Sequence, residues 1–228
     1  MISAQALVRC DDVSRTFGSG MSAVVAVHGT NCTVPGGARI AIAGPSGSGK
    51  STLLHLMAGL ERPTGGEVAW PGLPDGGSAR AREIGVVFQS PSLIPTLDVA
   101  ENVALPLEIA GVGQAESARR TAEALELVGI AALAAKLPEE ISGGQAQRVA
   151  VARVLAQRPR LILADEPTGQ LDHTAGQRLV DALLAATGHL AAALVVTTHD
   201  DAVAERLDTH WTMHEGRLRT TLPGAVRS

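Results

Sequence analysis

The 228 residues carry 45% hydrophobic and 18% charged side chains, with a mean hydropathy of +0.16; that is enough for one domain with its own core, and it excludes a disulfide-dependent scaffold and a disordered chain. A net charge of -4 and a pI near 6.0 give no global attraction to nucleic acid, which is not an expected partner. No run approaches the roughly 20 apolar residues of a membrane span, and Met1 to Cys10 lacks a signal-peptide pattern, so the expectation is a cytoplasmic chain.

Ala6 to Phe17 and Val24 to Val34 alternate around Gly18-Ser19-Gly20, which predicts paired antiparallel strands. A turn at Pro35-Gly36-Gly37 leads to the apolar strand Ile40 to Ala43, a glycine-rich loop and a helix over Thr52 to Ala58. Gly65-Gly66 and Pro71 to Ser78 read as turns before the strand Ile84 to Phe88. Residues 98–137 read as helical, punctuated by Gly111, Gly113 and Gly129; a further helix begins after Ile141-Ser142 and runs to Gln157. The strand Leu161 to Ala164, a helix from Thr174 to Ala186, the strand Ala193 to Val196, a short helix from Asp201 and a terminal hairpin complete the chain. Short apolar strands alternating with helices predict an α/β fold with a mainly parallel sheet covered on both faces. Cys10 and Cys32 lie in no metal or redox spacing and read as reduced core thiols.

Gly44-Pro45-Ser46-Gly47-Ser48-Gly49-Lys50-Ser51 matches G-x-x-x-x-G-K-[ST] between a strand and a helix, the context that phosphate binding requires. Glycines let backbone N–H groups approach phosphates, and the helix start, with Thr52 next in line, adds positive potential. Lys50 would meet the terminal phosphates as a point charge, and Ser51 would help hold Mg²⁺. Leu161 to Ala164 ends in Asp165 and Glu166, where an open parallel sheet places its ligands. Asp165 suits Mg²⁺, and Glu166, turned away by strand alternation, suits activation of the attacking water. Helix capping or plain solvation is the alternative for both acids.

Ile141-Ser142-Gly143-Gly144-Gln145-Ala146-Gln147-Arg148 resembles the signature of ABC (ATP-binding cassette) ATPases, and nearly the whole chain follows that family's order of motifs. The resemblance implies a P-loop NTPase core with an N-terminal antiparallel β lobe (both within about 1–90 and 158–228) and an inserted helical lobe (about 91–157), all one domain over 1–228. It also implies a head-to-tail dimer in which Ser142, Gly143, Gly144 and Gln145 of one subunit close on ATP held by the other; one chain with every motif intact favours a homodimer, with a paralogous second cassette as the alternative. By the same likeness Phe17 stacks on adenine, with a buried strand phenylalanine as the alternative; Gln89 contacts Mg²⁺ or the lytic water, Asp172 lies in the loop that crosses the dimer, and His199 meets the γ-phosphate. Ile141 and Gln170 depart from the commoner leucine and asparagine, and Trp70 to Glu83 is shorter than usual.

Glu101 to Leu107, after Pro91 to Leu97, resembles the lipoprotein-releasing and macrolide-exporter type of cassette, which implies a separately encoded membrane permease and a peripheral place on the inner face of the cell membrane. Leu93, Ile94, Leu97, Val99, Leu105, Leu107 and Ile109 exceed what a small lobe would bury, which suggests an exposed apolar groove for that permease; the alternative is that they form the lobe's own core. Chromosome-maintenance relatives insert long coiled coils, absent here, and translation-factor relatives carry two cassettes per chain. The remaining alternative is a regulatory cassette that clamps a membrane complex without moving a cargo.

Overall fold

The computed structural model describes residues 5–169 and 171–220; Gln170 lies outside them. Alternating apolar positions build β1 (Ala6–Phe17) and β2 (Val24–Pro35), which pair antiparallel with Cys10 opposite Cys32 and Phe17 opposite Val24. β3 (Arg39–Ala43) runs into the glycine-rich loop and then α1 (Lys50–Ala58), which closes at Gly59 in the left-handed conformation. β4 (Gly65–Ala69), α2 (Gly77–Glu83) and β5 (Ile84–Val87) follow.

Three helices come next: α3 (Val99–Ile109), α4 (Gln114–Leu127) and α5 (Gly143–Ala156). The chain ends with β6 (Leu161–Asp165), α6 (His173–Leu190), β7 (Ala193–Thr198), α7 (Asp201–Ala204) and the hairpin β8 (Thr209–His214) and β9 (Arg217–Thr220).

Two sheets result. One is antiparallel in the order β2-β1-β4; the other is six-stranded in the order β5-β6-β7-β3-β8-β9, parallel except for β9. Every residue of β6 and β7 is buried, as strands covered on both faces require. Because β3, β6 and β7 are parallel neighbours, their carboxyl ends emerge along one edge.

One core cluster joins Val99, Val103 and Leu107 of α3 and Val149 and Val151 of α5 to Ile162 and Val196 of the large sheet. The other joins Leu53, Leu54 and Met57 of α1 to Val8, Val13 and Val34 of the antiparallel sheet. Among the described residues no helix is long and apolar enough to cross a membrane.

Three expectations need correction. Gly65-Gly66 is the start of a strand, not a turn: it pairs with β1, where Gly66 (φ 71) packs so closely on Asp12 O that a Cβ would collide with it. The helical reading of 98–137 stops at Leu127, and short 3₁₀ turns at Ala131–Leu133 and Pro138–Glu140 follow. Of the apolar residues assigned to a groove, Val99 and Leu107 are buried in the core and Leu93 packs against it; Ile94 and Ile109 are exposed.

Candidate active site

The loop between β3 and α1 is held by the body of the protein. Gly44 N donates to Thr198 O (3.3 Å), and Gly216 N, in the β8–β9 turn, donates to Ser48 O (2.9 Å). A Cβ at Gly44 would collide with Met213 O, and one at Gly49 (φ 100) with Ala26 O, so both glycines are demanded by close backbone approach. Gly47 (φ 76) faces open space and needs glycine only for its conformation. No side chain caps α1, and among the described residues the N–H groups of Gly49, Lys50 and Ser51 have no partner. Ser48 Oγ is likewise buried without one. An uncapped helix start with an orphaned hydroxyl in its entry loop fits an anion.

Lys50 Nζ donates to Gly44 O (2.8 Å) and Pro45 O (3.0 Å) and lies 3.4 Å from Glu166 Oε1, so a buried ammonium meets three oxygens. The other carboxylate oxygen of Glu166 is 3.3 Å from His199 Nδ1. Strand alternation does not aim Glu166: β6 ends at Asp165, and Glu166 adopts φ 42, pinned by its N–H to Thr197 O (3.1 Å) and Thr197 Oγ1 (3.0 Å). Asp165 Oδ1 accepts from Ser51 Oγ (2.9 Å) and from Thr197 Oγ1 (2.6 Å). Lys50, Ser51, Asp165, Glu166 and His199 are thus brought together at the edge where β3, β6 and β7 end.

The other expected residues make no hydrogen bond or ion pair with this cluster among the described residues. Phe17 ends β1, partly exposed, and Gln89 is exposed just past β5. Ser142 is the N-cap of α5: its Oγ accepts from Gln145 N (3.3 Å) while Gln145 Oε1 accepts from Ser142 N (2.8 Å). Gly143 and Gly144 form the first turn, and a Cβ at Gly144 would lie 2.9 Å from Leu171 Cδ2. Asp172 caps α6, accepting from Ala175 N at 2.8 Å. Among the described residues no hydrogen bond or ion pair links 142–145 to Lys50 or Glu166.

Residues 27–169 match the family model described as "ABC transporter". The lipoprotein-releasing system ATP-binding protein LolD of Legionella pneumophila (strain Paris) is 40% identical over 211 residues, 90% of this chain and 93% of its own. The chain belongs to the ABC transporter family.

It is an ATP-binding cassette with the ATPase activity of that family. An uncharacterised ABC transporter ATP-binding protein of Mycobacterium tuberculosis (strain CDC 1551 / Oshkosh) is 39% identical over 224 residues, 95% of this cassette and 90% of its own chain. The ATP-binding cassette MJ0796, solved as a dimer in a post-hydrolysis state bound to ADP and Pi, superimposes with a TM-score of 0.84 at 35% identity, covering 93% of this chain and 98% of that one.

Two groups that organise the cassette's site escape a motif reading. Thr197 links both acids yet stands in a fully buried strand, where a polar residue was the available signal. Gly216 braces the phosphate loop from the last hairpin and also accepts from His28 N (2.8 Å), a contact that no local pattern announces.

Proposed function

We propose that the cassette closes as a homodimer around two ATP molecules and drives a separately encoded membrane permease, with hydrolysis at the Lys50–Glu166–His199 cluster. The observation that carries this reading is the convergence of that cluster on the Ser51–Asp165 oxygen pair. Mg²⁺ fits those oxygens: it is a hard cation that takes one or two protein oxygens, completes its shell with phosphate and water, and supplies charge neutralisation when bound. Ser51 and Asp165 would hold it, with Gln89 approaching from the end of β5.

The phosphate loop 44–51 and Thr52 would bind the phosphates through backbone N–H groups, and Lys50 would exchange its carbonyl partners for phosphate oxygens. Glu166, released by Lys50 and steadied by His199, would accept the proton of the attacking water. Phe17 would stack on adenine. At the start of α5, away from the first site, Ser142 and Gln145 cap each other and the N–H groups of Gly143 and Gly144 lie between them, which suits a nucleotide held by the other subunit, with Asp172 in the crossing loop. We retain 91–157 as the helical lobe and the remainder as the β lobe and core.

LolD relatives are named for lipoprotein release. By that likeness the cassette does mechanical work at the cytoplasmic face of the membrane, docked through the exposed Ile94 and Ile109. The purified chain should hydrolyse ATP only with Mg²⁺ and should size as a dimer when ATP is added in EDTA. A Lys50→Ala variant that retained both behaviours would sink the reading.

A further inference from the structure

Arg15 and Phe17 stand two apart near the end of β1, on either side of an irregularity in its pairing with β2. The guanidinium of Arg15 lies over the Phe17 ring, 4.5 Å from its centroid. Its Nη2 is 2.8 Å from Glu61 Oε2, and its Nε is buried with no hydrogen-bond partner. One side of the cation is therefore met by a carboxylate, which fixes its position, and its flat face by the π cloud of the ring.

Glu61 is not a loose surface acid. It follows the closing turn of α1, where Leu60 N and Glu61 N both donate to His55 O (2.9 and 3.3 Å). The same loop is clipped to β1 on both sides of Arg15: Thr64 N donates to Ser14 O (2.8 Å), and Thr16 N donates to Thr64 Oγ1 (3.1 Å). The helix that begins at Lys50 is thereby tied at its far end to the ring of Phe17. From the other direction, Val24, opposite Phe17, is two residues from Ala26, whose carbonyl lies against Gly49.

We propose that Arg15, clamped by Glu61, is a positioning residue for nucleotide binding: it backs one face of Phe17, fixes the ring relative to the phosphate loop and leaves the other face for the base. This rests on the reading of Phe17 as the adenine platform. Among the described residues no hydrogen bond or ion pair links Arg15 to the phosphate loop 44–51, so its effect is expected on the base.

The test is a double-mutant cycle with Arg15→Ala, Phe17→Ala and the pair, with Arg15→Lys to retain the charge. Steady-state ATPase gives KM and kcat, inorganic tripolyphosphate as a competitive inhibitor reports the phosphate site without a base, and a thermal melt reports folding. Arg15→Ala should raise KM for ATP about three- to tenfold with kcat and the tripolyphosphate inhibition constant unchanged. Arg15→Lys should recover part of that loss, and Arg15→Ala should add nothing in the Phe17→Ala background. If Phe17→Ala raises KM while Arg15→Ala and Arg15→Lys do not, the clamp is refuted and the platform stands. If Phe17→Ala leaves KM unchanged, the platform itself fails and the clamp with it. Equal weakening of ATP and tripolyphosphate by Arg15→Ala would make Arg15 a merely structural residue and overturn the proposal.

Discussion

Thr197 Oγ1 donates to Asp165 Oδ1 at 2.6 Å while accepting from Glu166 N at 3.0 Å, so one buried hydroxyl on β7 orients both acids at the end of β6. Thr197→Val removes both bonds at constant shape. It should cost about 1 kcal/mol in urea denaturation, because Glu166 N retains Thr197 O. Turnover should fall about tenfold or more, since the carboxylates lose their shared reference. Thr197→Ser should retain activity; equal activity in both variants would contradict the role.

Gly49 and Gly47 should respond differently to alanine although both belong to one motif. Gly49→Ala combines φ 100 with a collision against Ala26 O, which is backbone that cannot yield cheaply, and should abolish ATP binding or soluble expression. Gly47→Ala faces open space at φ 76, and its conformational cost is about 1–2 kcal/mol. Denaturation midpoints and nucleotide titration separate the two.

Asn102 is fully buried in α3. Its Oδ1 accepts from Ile94 N (2.8 Å), and its Nδ2 donates to Ile94 O (3.1 Å), Leu97 O (2.9 Å) and Asp98 O (2.9 Å). Asn102→Leu should destabilise the cassette by about 1–3 kcal/mol through the orphaned backbone groups. In native-state hydrogen exchange the Ile94 amide should lose its protection. Stimulation of ATPase by the permease should fall more than basal turnover, because Ile94 sits on the face assigned to that partner.

The hydrogen bond with Cys10, together with burial, pushes the Cys32 thiol well above the ordinary thiol range. The thiolate is the reactive form, so Cys32 should stay inert at neutral pH. A colourimetric thiol assay should register Cys32 only after denaturant is added. Labelling of Cys32 in the native cassette at pH 7 would contradict this environment.

The β3–loop–α1 unit and the acid-terminated β6 were legible because pattern and context coincide: an apolar run, glycines, then helical spacing. The segment after Leu127 was misread because its alanines favour helix by propensity. Gly129 (φ 69) breaks it, and the chain instead turns so that Lys136 O and Ala134 O accept from Val99 N and Ala100 N, satisfying the start of α3. β4 was hidden because glycines at a close backbone crossing look like a turn. The orientation of Glu166 needed a positive φ, and the brace from Gly216 needed a contact between distant parts of the chain; neither is encoded in local periodicity. Ser142 and Asp172 show the reverse case: as N-caps they have a local structural role, and whether they also meet a nucleotide depends on a second subunit.

Glu166 as the base is tested by single-turnover hydrolysis of ATP by Glu166→Gln, measured beside its ATP affinity. Glutamine keeps the shape of the side chain that lies between Lys50 and His199 but cannot take a proton. ATP affinity should stay within a few fold of the native cassette, and the hydrolysis rate should fall by about 10²–10⁴. Native turnover in that variant would contradict Glu166 as the base.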